Sequence, residues 1–157
     1  MGELLSAVAG YFEQARWNYR PVEGRSVLEL ELHGKHALFP CVAIVDEESE
    51  RLIFLSHYPV KVPEALRGAV LELVNRANAS LAVGNFELDL DKGNLRYRTS
   101  VDVEGLGLPD ALVRNVVLCN VSTADRFFPA VALTLYAGAA PLDALAVLES
   151  PPAGEAN

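Results

Sequence analysis

Alternation with a period of two restricts this chain more than any other feature. At residues 26–33, Leu28, Leu30 and Leu32 point one way and Glu29, Glu31 and His33 the other. The pattern returns twice over residues 84–104. Phe86, Leu88 and Leu90 oppose Glu87, Asp89 and Asp91, and then Leu95, Tyr97, Thr99, Val101 and Val103 oppose Arg96, Arg98, Ser100 and Asp102. Successive side chains of a strand leave opposite faces, so each stretch predicts a strand with one dry and one wet face. A two-residue turn at Lys92-Gly93 sets Asp89 opposite Arg96 and Glu87 opposite Arg98, with Leu88 meeting Tyr97 on the other face.

The remaining strands complete a meander. Gly34-Lys35 reads as a two-residue hairpin turn. Residues 36–46 are more uniformly apolar (Ala37, Leu38, Phe39, Val42, Ile44, Val45), which predicts a central strand covered on both faces. Pro40 cannot donate to a ladder and marks a bulge or an unpaired edge position. After the polar turn Asp46-Glu47-Glu48-Ser49, residues 50–58 form a third strand.

Helical spacing governs the other segments. Leu4, Leu5, Val8, Tyr11, Phe12 and Ala15 form a stripe over residues 2–17, with an end expected near Asn18. Pro63 opens a second helix that runs to residue 79 through Leu66, Val70, Leu73, Val74 and Ala77. Pro109-Asp110 starts a long helical stretch reaching Ala137. Inside it, Pro129 robs the Asp125 carbonyl of its donor, which predicts a kink or a break. A short helix at 141–148 follows Pro141. The order is α-βββ-α-ββ-α(α), an α+β fold with an antiparallel sheet of about five strands. Residues 1–149 read as one domain, and 150–157 as a disordered tail.

No residue pattern announces catalysis. A metal site would need His33, His36 and His57 to converge, but no acidic ligand is placed with them, and surface histidines are the simpler reading. Glu29 with Glu31, or Glu87 with Asp89, could act as acid–base pairs only if something shifted their pKa values. On a solvated sheet face nothing does. Cys41 and Cys119 lie in apolar runs without CxxC spacing and read as buried free thiols. Gly105-x-Gly107 lacks the context of a phosphate loop. Asn75, Arg76 and Asn78 could line a small-molecule pocket, and Asn78 or Asn85 could cap the second helix. Asn120, Ser122, Thr123 and Asp125 make a polar patch on the long helix that is read as facing solvent. The reading is therefore no enzyme, no cofactor and no metal.

The formal net charge of −8 disfavours nucleic acid and anionic membrane surfaces as partners. The N-terminus lacks the basic region of a signal peptide, no apolar run approaches a membrane span, and two isolated cysteines fit a cytoplasmic setting. A protein partner fits better. The mean hydropathy of +0.20 is high for an acidic chain. The long helix is apolar around much of its girth, which makes Val116, Val117, Phe127, Phe128 and Val131 the candidate interaction surface. Trp17, Tyr19 and Tyr11 could anchor a partner or pack in the core. A homodimer is the simplest closed assembly, and a client or regulatory protein is the other candidate. A small-molecule binder or an enzyme with an unrecognised site is the alternative.

The segments Val74-Asn75-Arg76-Ala77-Asn78, Gly84-Asn85-Phe86-Glu87-Leu88-Asp89 and Gly93-Asn94-Leu95-Arg96-Tyr97-Arg98-Thr99 resemble the YbjN family of bacterial sensory-transduction regulators. The resemblance is strongest over residues 70–104. It implies a fold like that of type III secretion chaperones, a regulatory or chaperone-like role, and no catalytic residues to carry over.

Overall fold

The computed structural model describes residues 1–149, and the tail expected to be disordered lies outside the described residues. The elements are α1 (Glu3–Gln14), β1 (Tyr19–Pro21), β2 (Val27–His33), β3 (Leu38–Asp46), β4 (Arg51–Lys61), α2 (Arg67–Ser80), β5 (Asn85–Leu88), β6 (Asn94–Asp102), α3 (Asp110–Tyr136) and α4 (Pro141–Glu149). A 3-10 turn, Glu64–Leu66, leads into α2. The strands form one six-stranded antiparallel sheet in the order β1-β2-β3-β4-β6-β5. The α+β class and the antiparallel sheet are as the sequence predicts. The sixth strand, β1, was missed because three residues are too few to show a period.

Helix α1 stops earlier than expected. The Arg16 N–H donates to the Glu13 carbonyl and the Trp17 N–H to that of Phe12, with Arg16 in the left-handed region at φ 57°. That is a Schellman closure, and it satisfies two orphan carbonyls before Asn18 is reached. At the other end, the Glu47 carboxylate accepts the N–H groups of Leu4 and Leu5. The β3–β4 turn therefore caps α1 where no side chain of the helix does so.

Two registers differ from expectation. His33 pairs with Leu38, so the first hairpin turns at Lys35-His36 rather than Gly34-Lys35. In the β5–β6 hairpin, Glu87 pairs with Arg96 and Asn85 with Arg98. The Asp89 carboxylate takes the N–H groups of Asp91 and Lys92 and builds a longer turn, closed by Gly93 at φ 76°. A side chain at Gly93 would collide with the Val62 carbonyl. The slip is two residues, so every side chain keeps its face while the ion pairs change partners. Leu90 leaves the strand and is exposed. Pro40 sits within β3 opposite Glu31, just beyond the Cys41–Ser56 pair that ends the β3–β4 ladder.

The core lies between one face of the sheet and the helices. Leu28, Phe39, Phe54, Leu95 and Tyr97 from the strands meet Val8 and Phe12 of α1, Leu73 of α2, Val113 and Val117 of α3, and Ala144 of α4 in one cluster. Helix α3 crosses β4 and β6. Its length and hydropathy would suffice to cross a membrane, but half of that stretch is buried inside the fold.

Proline 129 does not break α3, which runs as one helix of 27 residues. The carbonyls that a mid-helix proline disturbs find other donors. The His36 ring Nδ1 lies 3.1 Å from the Asp125 carbonyl, the one whose donor Pro129 removes. The Tyr58 hydroxyl donates to the Ala124 carbonyl at 2.6 Å. The Asp125 carboxylate accepts the N–H groups of Lys35 and His36 at 2.9 and 2.8 Å. The β2–β3 turn is thus bolted to the helix at its weakest point.

Candidate protein-interaction surface

The residues expected to form an interaction surface on the long helix do not. Val116, Val117, Phe127 and Val131 are buried, and Phe128 is half-buried against Phe39 and Tyr58. One sheet face needs that much apolar helix surface to cover it. The polar patch of α3 also turns inward in part. Asn120 is fully buried, and its amide nitrogen lies within reach of the Phe54 and Tyr97 carbonyls and the Thr99 hydroxyl. Asp125 is buried on the hairpin, and only Ser122 remains exposed. Tyr11 and Tyr19 pack edge-on against Phe12, and Trp17 packs edge-on against Tyr11 and tilted against Phe12.

The groups considered for chemistry are dispersed. Among the described residues no three His, Cys, Asp or Glu side chains stand close enough to share a metal. His33 is exposed, His36 is bound to Asp125, and His57 lies on the sheet, where burial and then Arg96 hold its imidazole below the ordinary value. Burial pushes the Cys41 thiol up to about 11, so it stays protonated, while Cys119 is half-exposed. Asn78 clamps β5 instead of lining a pocket: its side chain accepts the Phe86 N–H at 2.7 Å and donates to the Phe86 carbonyl at 3.1 Å. Arg76 pairs with Glu72 along α2, and Asn75 is exposed. Two open hollows of about 1150 and 530 Å³ share His33, Leu118 and Val121, and neither touches Asn75, Arg76 or Asn78.

Among the described residues, none packs over the outer face of the sheet. One line of cross-strand partners traverses all six strands: Arg20, Glu29, Val42, Leu55, Arg98 and Asn85. The next row is apolar in its middle, Val27, Ile44 and Ile53, and ends at Ser100. Val27, Val42, Ile44 and Ile53 are half-buried and touch no part of the core cluster. Leu55 is only 5% exposed yet lies outside that cluster, the one buried apolar residue among those described that does. Arg98 stands beside it in the ladder and is half-buried.

Charge rims this apolar strip. On the β1–β2 side, Arg20 pairs with Glu29 while Glu31 is exposed. On the β5–β6 side, Arg96 and Arg98 both engage Glu87, at 2.6 and 3.4 Å. Partial burial would raise the Glu87 carboxyl, but the two guanidinium groups outweigh it and hold the pKa below the ordinary value. Sequence reading missed this surface because it assigned β3 two covered faces. The residues Val42, Ile44, Ile53 and Leu55 were the available signal, with an i, i+2 spacing that places them together.

Comparison with known proteins agrees with this architecture. A family model described as "Putative bacterial sensory transduction regulator" matches residues 5–133. The chain belongs to the YbjN family. The crystal structure of E. coli YbjN is similar at a TM-score of 0.57 and 15% identity, covering 77% of this chain and 87% of that one. A HopA1–SchA chaperone–effector complex is similar at a TM-score of 0.46 and 13% identity, covering 74% and 84%. No curated protein matches. At these identities, the E. coli YbjN structure supports the fold alone. Membership also agrees with the residues that carried the resemblance: Asn78, Phe86, Gly93 and Tyr97 of the YbjN-like segments all sit at the α2–β5–β6 junction.

Proposed function

We propose that this YbjN-family chain is a non-enzymatic protein-interaction module, regulatory or chaperone-like in kind. It works in the cytoplasm as a homodimer or with a protein partner, and the outer sheet face is its contact surface. One observation carries the reading: helices cover one face of the sheet, and the other keeps an apolar centre open to water. Four branched apolar side chains in adjacent rows are a larger patch than scattered surface residues make, and contiguous patches mark interaction sites. A small-molecule role is less well supported, since Asn78 and Arg76 serve β5 and α2 instead and Asn75 is exposed.

Photo-crosslinking in cells tests the reading. A crosslinking amino acid replaces Ile53 on the outer face or Leu71 on the exposed side of α2. Discrete protein adducts at Ile53, absent at Leu71, are the expected result. Adducts at neither position, or equally at both, would overturn it.

A further inference from the structure

We infer that the outer sheet face is closed by a second copy of the same chain, related by a twofold axis that runs parallel to the strands between β3 and β4. This rests on the reading of that face as the contact surface and adds the identity of its occupant.

The argument comes from the rows. Such an axis turns the face over, so β3 of one copy meets β4 of the other and β2 meets β6. Val42 then faces Leu55 of the second copy, and Ile44 faces Ile53, giving an apolar centre from both chains. Glu29 faces Arg98, because both belong to the same row. At the end of the strip the row Asp46, Arg51, Asp102 sets Asp46 against Arg51 of the second copy. Strands are spaced about 4.8 Å apart, so β2 and β6 lie about 7 Å from the axis on either side. Aligned sheets cross at about −30°, which slides the flanks by a few ångström, a shift that a long arginine side chain can follow.

The charges are arranged for this operation. Arg20, Glu29 and Glu31 on the β1–β2 flank sum to −1, from one basic and two acidic groups. In the rows level with Glu29 and Glu31, Arg96, Arg98 and Glu87 on the β5–β6 flank sum to +1, from two basic groups and one acidic, while Asp102 lies in the end row and pairs with Arg51 of its own chain. The axis lays each flank on its opposite, and both contacts of the isologous pair are attractive at once. A head-to-head arrangement with like flanks opposed would repel on both sides. The sheet edges offer less. β1 has three residues and includes Pro21, and β5 has four.

The test uses two single changes in the same row, Glu29→Arg and Arg98→Glu. Each makes both flanks of its chain the same sign. Sedimentation equilibrium on the full chain should show the wild type at twice the chain mass of 17.0 kDa. Each variant alone should show a dissociation constant raised by about tenfold or more. An equimolar mixture should recover the dimer, since the two net-basic flanks of the Glu29→Arg chain meet the two net-acidic flanks of the Arg98→Glu chain, with opposite charges facing each other at both substituted positions of the row. Circular dichroism of each variant checks that it is folded, and recovery on mixing shows the same independently. Variants that dimerise as tightly as the wild type would overturn the inference while leaving a homodimer through another surface. A monomeric wild type whose Ile53 crosslinks only to other proteins would also overturn it, yet would leave the reading of the face as a contact surface intact. A monomer with no Ile53 adduct would remove both.

Discussion

Phe54 and Leu55 are neighbours in β4, and almost no water reaches either, yet they are buried by different means. Phe54 points into the core, where α3 crosses the strand and Asn120 reaches its carbonyl. Leu55 points to the other face, where strand neighbours shield it and no helix arrives. The difference extends over the whole sheet. The inner face is an enclosed solid of aromatic and branched side chains, with Phe86 touching Tyr97, Phe127 and Tyr58. The outer face is two rows of residues held at fixed spacing by the ladder. The inner face therefore sets stability, and the outer face is free to set association.

Substitutions can break that division. Phe54→Ala should cost about 3–5 kcal/mol in chemical denaturation, because the rigid inner face leaves a cavity. Ile53→Ala, one residue away on the outer face, should cost only about 1 kcal/mol in the monomer. Similar losses at both positions would erase the distinction.

Asn120→Ala is the next test. It removes a polar side chain that joins β4, β6 and α3, and should cost about 1–3 kcal/mol in urea unfolding. Its Oδ1 has no partner in the structure, so a loss near zero would mean that the orphan oxygen already cancels the bonds made by the nitrogen.

Asp125→Asn should cost about 1–2 kcal/mol, since the two N–H groups of the hairpin lose a charged acceptor. Burial would raise the Asp125 carboxyl, but the N–H groups of His36 and Lys35 outweigh it, and the folded pKa lies below the ordinary 3.8. The stabilisation is therefore complete above pH 3.8 and fades as the pH falls through the lower folded value. The wild type should lose its advantage over the Asn variant in that acid range. A difference that persisted there would mean that the carboxylate charge is not what holds the hairpin. Smallest of all is Glu87→Gln on the outer face, expected to cost less than about 1 kcal/mol because solvent screens its two arginine contacts.

Alternation carried most of what could be read in advance. Leu28, Leu30 and Leu32 took the core side as their spacing requires, and β6 kept both of its faces. A two-residue slip leaves alternation unchanged, so the β5–β6 register was invisible until Asp89 was seen to build the turn. The surface was misplaced for a related reason. An apolar helix and an apolar strand both need a cover, and composition does not say which one gets it. Phe127 and Val131 were buried in the core, and Val42 and Ile53 were left over. The fate of Pro129 depended on His36 and Tyr58, some seventy to ninety residues earlier, and no local pattern connects them.

The two ends of the sheet bear on how the chain behaves when crowded with copies of itself. An unpaired strand margin is a template onto which further chains can add without limit, the route to fibrils. Here one margin is three residues long and contains a proline, and the other is four residues pinned to α2 by Asn78. Neither offers enough consecutive free donors and acceptors to seed such growth. Association across a face saturates at two copies, whereas growth along a margin does not stop. With its margins this short, the sheet gives growth along an edge little to build on.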